Sequence, residues 1–135
     1  MRSEFEARLP ARRRCLRILC AEDHPIIGNM LVRLLSMSGH RVERAPDGRA
    51  AWEKISKNVG QFDVLITDHN MPHMDGLGLV RHLRQAAFPG RIIVHSIALF
   101  PSDRDEYRAL SVDRVIPKTT DAAELLNAVD SFCGT

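Results

Sequence analysis

The sequence predicts a doubly wound α/β domain: a five-stranded parallel sheet of flavodoxin-like order 2-1-3-4-5, with helices on both faces. Three observations lead there. Strand-like segments, three of them apolar runs, alternate with helical segments, five of each, which is the pattern that strand–helix crossovers leave in a chain. At 135 residues the chain can enclose one core but not two ordinary ones. Acidic, hydroxyl and basic residues stand at the ends of the apolar runs, where open α/β sheets bind their ligands. Each crossover is expected to be right-handed.

Leu16–Ala21 (LRILCA) is a short apolar run, as for a strand covered on both faces. His24–Gly39 places Ile26, Ile27, Met30, Leu31, Leu34 and Leu35 at helical spacing, with Pro25 in the first turn and Gly39 closing the helix. HRVERA (His40–Ala45) alternates, as an edge strand does. DGRAAWEKISKN (Asp47–Asn58) is amphipathic, with Ala51, Trp52 and Ile55 facing in. FDVLIT (Phe62–Thr67) is a buried strand and GLGLVRHLRQA (Gly76–Ala86) a helix. RIIVHS (Arg91–Ser96) is a further apolar strand. Ser102–Ser111 reads as a short polar helix capped by Ser102 or Asp103. DRVIP (Asp113–Pro117) is the last strand. The last helix, within Thr119–Phe132, starts at a Thr/Asp cap with Glu124 three residues after Asp121, close to a capping box.

Composition excludes several classes. Hydrophobic residues are 44% and charged residues 27%, as in soluble globular proteins. Six arginines against two glutamates give residues 1–17 a charge of +4, so the overall +2 leaves −2 for the remainder. The pI of about 8.6 therefore reports an N-terminal arm, residues 1–15, and direct nucleic-acid binding is not expected. That arm is read as flexible, a native tail or in part a cloning remnant, and residues 16–133 as the folded domain. It has no apolar run or cleavage pattern of a secretory signal, and no stretch approaches the roughly 18 apolar residues that cross a bilayer. Cys15, Cys20 and Cys133 show no CxxC spacing, which suits reduced thiols in a cytoplasmic protein.

The first strand ends in Glu22-Asp23, the third in Asp68, the fourth in Ser96 and the fifth in Pro117-Lys118. The predicted strand order brings these ends together. Carboxylates gathered in one pocket repel, by about 4 kcal/mol per pair at about 4 Å and an effective dielectric near 20. Mg²⁺ relieves such repulsion, taking one or two carboxylates, a carbonyl, waters and a phosphate oxygen. Lys118 supplies a compact positive charge and Ser96 a donor hydroxyl. A carboxylate facing a metal and an ammonium group can attack phosphorus and form an acyl phosphate.

With ILCAEDHP, FDVLITDHNMPHMDG, IIVHS and VIPK in place, the chain resembles the receiver domain of two-component response regulators, from about Arg17 to Phe132. The resemblance is to stand-alone, chemotaxis-Y-like receivers. It implies Asp68 as phosphoacceptor, with Ser96 and Lys118 as the phosphate-sensing hydroxyl and lysine. It implies Mg²⁺ held by Asp23, Asp68 and the carbonyl of Asn70, with Glu22 reaching it through water. The implied donor is a phosphohistidine on a sensor histidine kinase or phosphotransfer protein. Output is implied through a protein partner on the face of helix 4, strand 5 and helix 5, or through the rest of a longer protein, without turnover of an external substrate.

Four positions depart from the family pattern. Glu22 stands where Asp is also common. Thr119 stands where proline often follows the lysine, Ile97 where a small residue usually follows the hydroxyl, and Val115 where Tyr or Phe is usual. The last two allow an alternative, a receiver-fold interaction module with altered or decayed switching. A phosphatase of the haloacid-dehalogenase type would need Asp where Asn70 stands. His69 and His73 flank Pro72 in a loop, so they lack the helical spacing of a transition-metal pair. Together with His24 they are expected at the pocket rim, where they would make its charge pH-sensitive. Gly76-Leu77-Gly78 lacks the third glycine of a dinucleotide fingerprint.

Overall fold

A computed structural model describes residues 15–119 and 121–133. Five strands, β1 (Arg17–Ala21), β2 (Arg41–Ala45), β3 (Val64–Thr67), β4 (Arg91–Ser96) and β5 (Arg114–Pro117), form one parallel sheet of order β2-β1-β3-β4-β5. They alternate with five helices, α1 (Pro25–Met37), α2 (Gly48–Lys57), α3 (Gly76–Gln85), α4 (Pro101–Ala109) and α5 (Ala123–Ser131). The predicted fold class and strand order are both present. Expectations for the arm fall on residues 1–14, outside the described residues.

The two-residue period of each strand divides the core. Leu19, Leu65, Ile92 and Val94 point to one face and meet Ala51 and Ile55 of α2, Leu79, Val80 and Leu83 of α3, and Tyr107 of α4. Ile18, Cys20, Val64, Ile66, Ile93 and Ile116 point to the other and meet Leu31 and Leu35 of α1 and Leu125, Ala128 and Val129 of α5. Both faces of β3 are covered, so all four of its residues are buried. Each buried Leu, Ile or Val contributes roughly 1.5–3 kcal/mol relative to exposure.

Three local expectations are corrected. The α1 stripe is wider than the buried face: Leu31 and Leu35 are buried, whereas Ile26 and Met30 are exposed. At 100° per residue, adjacent apolar pairs cannot all face one sheet. The N-cap of α4 is Phe100, not Ser102 or Asp103, because Pro101 occupies the first turn with φ already helical. Asp103 instead accepts the Phe100 amide at 3.2 Å. The N-cap of α5 is Ala122, with Asp121 accepting from the Ala123 amide at 2.9 Å. Glu124 pairs with Arg114 at 3.5 Å and closes no capping box.

Candidate functional site

The strand ends lie level. Ala21 pairs with Thr67 and Ser96 with Pro117, so the next residue of each strand opens onto the same edge. The ladder extends one step further: Asp68 donates its amide to the Ala21 carbonyl at 3.0 Å, Glu22 to Ala45 at 3.0 Å and Lys118 to Ser96 at 2.8 Å. Glu22, Asp68 and Lys118 are thus fixed by backbone pairing, and only their side chains remain to be placed.

Those side chains converge. Lys118 Nζ lies 2.5 Å from Glu22 Oε1 and 2.9 Å from Asp68 Oδ2. The second Glu22 oxygen accepts the His24 amide at 3.2 Å, and Asp68 Oδ1 accepts the His69 amide at 2.7 Å. Glu22 is 2% exposed and Asp68 9% exposed, so this cluster works in a low-dielectric setting. Burial pushes the Glu22 carboxyl up, with Lys118 opposing it. Burial also acts against the Lys118 ammonium, but its hydrogen bonds to Glu22 and Asp68 prevail and its pKa is raised.

Asp23 is exposed and offers a carboxylate oxygen within 4.8 Å of those of Glu22 and Asp68. Three carboxylates against one ammonium suit a hard divalent cation, which needs oxygen donors and keeps several waters. Arg44 holds the acidic pair from the backbone, donating to the carbonyls of Glu22 at 3.0 Å and Asp23 at 3.3 Å. It passes over Gly28, where a Cβ would collide with the guanidinium. Ser96 is buried at the same edge, and Asn70 is exposed two residues after Asp68.

The three histidines go separate ways. His24 caps α1, accepting the Ile27 amide, and His73 is exposed with a left-handed φ of 69°. His69 is not a rim residue: it is buried, with Nδ1 2.6 Å from the hydroxyl of Tyr107. No periodic signal marked Tyr107, because it is the one buried residue of a polar helix. His95, also buried, has no partner on Nδ1 among the described residues; burial first, and Lys118 second, lower its pKa to about 4.

Two other features are weaker. A cavity of about 570 Å³ at the opposite edge of the sheet is lined by Arg17 and Arg91, already paired with Asp63 and Asp113. His40, Asp130 and Cys133 also cluster. There His40 Nδ1 accepts the Leu16 amide at 3.1 Å, which leaves the ring proton on the nitrogen facing Asp130 and Cys133. A nitrogen carrying that proton does not ligate a metal. No helix of the described residues is long and apolar enough to cross a membrane.

The chain matches the family described as "Response regulator receiver domain" over residues 18–130. Among solved structures, the chemotaxis protein CheY4 of Vibrio cholerae is 28% identical, with a TM-score of 0.78 over 88% of this chain and 99% of that one. The response regulator TrrA of Thermotoga maritima, in complex with Mg²⁺ and BeF, is 26% identical, with a TM-score of 0.76 over 87% and 98%. A gliding motility regulatory protein of Myxococcus xanthus is 37% identical over 101 residues, which are 75% of this chain and 13% of that protein. The sensor protein EvgS of Escherichia coli is 47% identical over 70 residues, 52% of this chain and 6% of that one. The chain thus spans only a small part of these curated relatives.

Proposed function

The chain belongs to the response regulator receiver domain family of two-component signalling, and from that premise we propose that it is a phosphorylation switch with Asp68 as acceptor. The observation that carries this is the placement of Lys118 between Glu22 and Asp68, with the carboxylate of Asp23 alongside. An Asp68 oxygen forms the new O–P bond as the N–P bond of a phosphohistidine breaks. The electron pair stays on the departing nitrogen, and with a proton on its other nitrogen the donor ring leaves as neutral imidazole.

Lys118 then exchanges part of its carboxylate pairing for a phosphoryl oxygen, and Ser96 donates its hydroxyl to another. Glu22, Asp23 and Asp68, with the Asn70 carbonyl, would hold Mg²⁺, Glu22 through water. Once bound, that ion supplies positive charge that screens acceptor and phosphoryl oxygens from each other. The donor proposed is a sensor histidine kinase or phosphotransfer protein, a reading supported by the similarity to segments of sensor proteins. Output is proposed through a protein partner on the α4–β5–α5 face.

Acetyl phosphate should add a phosphoryl group to Asp68 in a Mg²⁺-dependent way, read as a mass increment absent from Asp68→Asn. A wild-type protein without the adduct, or an undiminished adduct on the variant, would refute the assignment. A second reading, an interaction module with altered switching, draws on the exposed Ile97 and the half-buried Val115. It predicts partner binding indifferent to beryllofluoride in a pull-down.

A further inference from the structure

Beside the acceptor carboxylate lies a buried polar pair that the phosphoryl chemistry does not use. His69 Nδ1 is 2.6 Å from the Tyr107 hydroxyl, and His69 Nε2 is 3.5 Å from Asp103 Oδ2. Asp103 and Tyr107 both belong to α4 and are four residues apart, so one face of that helix grips the imidazole at two points. With a carboxylate facing Nε2, the ring proton sits there, Nδ1 accepts and the tyrosine hydroxyl donates. Burial first, then the carboxylates of Asp75 and Asp103, push the Tyr107 pKa up, so the hydroxyl keeps the proton it donates.

The other end of this contact is the site itself. The His69 amide donates to Asp68 Oδ1 at 2.7 Å. The space is closed: Tyr107 is fully buried, and a Cβ on Gly76 would collide with its hydroxyl and with the Asp68 carbonyl. The tyrosine hydroxyl thus packs directly against the turn that follows Asp68, with no room for a methyl group between them. Helix α4 is in turn N-capped by Phe100, which is 76% exposed, as is Ile97 in the same connection.

We propose that His69 and Tyr107 are positioning residues that transmit the state of Asp68 to α4. The inference rests on the phosphoacceptor reading of Asp68. As a carboxylate, Asp68 holds the His69 amide in a charge-assisted hydrogen bond; as an acyl phosphate its Oδ1 loses that charge and the bond weakens. Imidazole, tyrosine and the first turns of α4 then shift together, carrying the apolar Ile97–Phe100 connection with them.

Hydrogen exchange of α4 amides with and without Mg²⁺ and beryllofluoride tests this. Loading should change α4 exchange in the wild type by about fivefold, the shift that one net hydrogen bond carries. Tyr107→Phe keeps the packing; it should load normally, as read by mass, and lose that change. His69→Gln should do the same and carries the comparison if Tyr107→Phe does not fold. The double variant should show no further loss, since both act through one contact. Normal loading with a wild-type α4 response in either single variant overturns the coupling, as do additive losses. A wild type that does not load at all overturns the acceptor assignment beneath it.

Discussion

His95 shows how a single buried side chain sets a pH limit. The residue is 8% exposed, Nδ1 has no partner among the described residues, and burial, aided by Lys118, depresses its pKa from 6.5 to about 4. Between those values the unfolded chain binds the proton and the folded chain does not. Stability from the neutral ring is thus fully present above about pH 6.5 and is lost as pH falls through about 4. Across that window the loss approaches about 3 kcal/mol. Urea unfolding at pH 7 and pH 4.5 should show His95→Leu losing about 2 kcal/mol less than wild type on acidification, whatever its stability at pH 7. Equal losses would reject this account of His95.

At the scale of elements, α3 is held against the acceptor loop by an absence. Gly76 opens the helix, its amide bonds the His69 carbonyl at 2.8 Å, and Asp75 caps the turn by accepting the Gly78 amide at 2.8 Å. In an ordinary helix Gly→Ala gains about 1 kcal/mol. Here the new methyl would strike the Asp68 carbonyl and the Tyr107 hydroxyl. Backbone cannot yield as a flexible side chain does, so overpacking outweighs propensity and Gly76→Ala should lose about 2 kcal/mol net. Chemical denaturation would measure it, and a variant as stable as wild type would mean the loop relocates freely. The elements themselves were legible because apolar period and turn residues are local signals. Helix starts were less so: Ser102 and Asp121 carry capping side chains, but Pro101 and the chain path put Phe100 and Ala122 at the caps. Contacts between distant elements left no local trace. His69 and Tyr107 are 38 positions apart, and Arg44 reaches the carbonyl of Glu22 across 22.

For the whole molecule, strand order decides which acids meet. Glu22, Asp68 and Lys118 were readable as a group because each directly follows a strand and the sheet aligns those ends; the bridging geometry of Lys118 was not, since side-chain reach depends on burial. That geometry leaves a charge imbalance. One ammonium serves Glu22 and Asp68, while Asp23 adds a further carboxylate within 4.8 Å. Glu22 has a raised folded pKa, so its contribution is present below its unfolded pKa and lost as pH rises through the folded value. Three carboxylates grouped around one ammonium are a donor set for a divalent cation, which should stabilise the fold. At about a hundred times its dissociation constant, Mg²⁺ adds about 2.7 kcal/mol, which raises the melting midpoint of a domain this size by roughly 10 °C. Asp23→Asn is the informative variant, because it removes one candidate ligand and leaves the Glu22–Lys118–Asp68 bridge intact. Its midpoint should move by a small fraction of the wild-type shift, with sodium salt at matched ionic strength as the control for screening. Equal shifts in both proteins, or none in the wild type, would show that these carboxylates do not bind Mg²⁺ as a set.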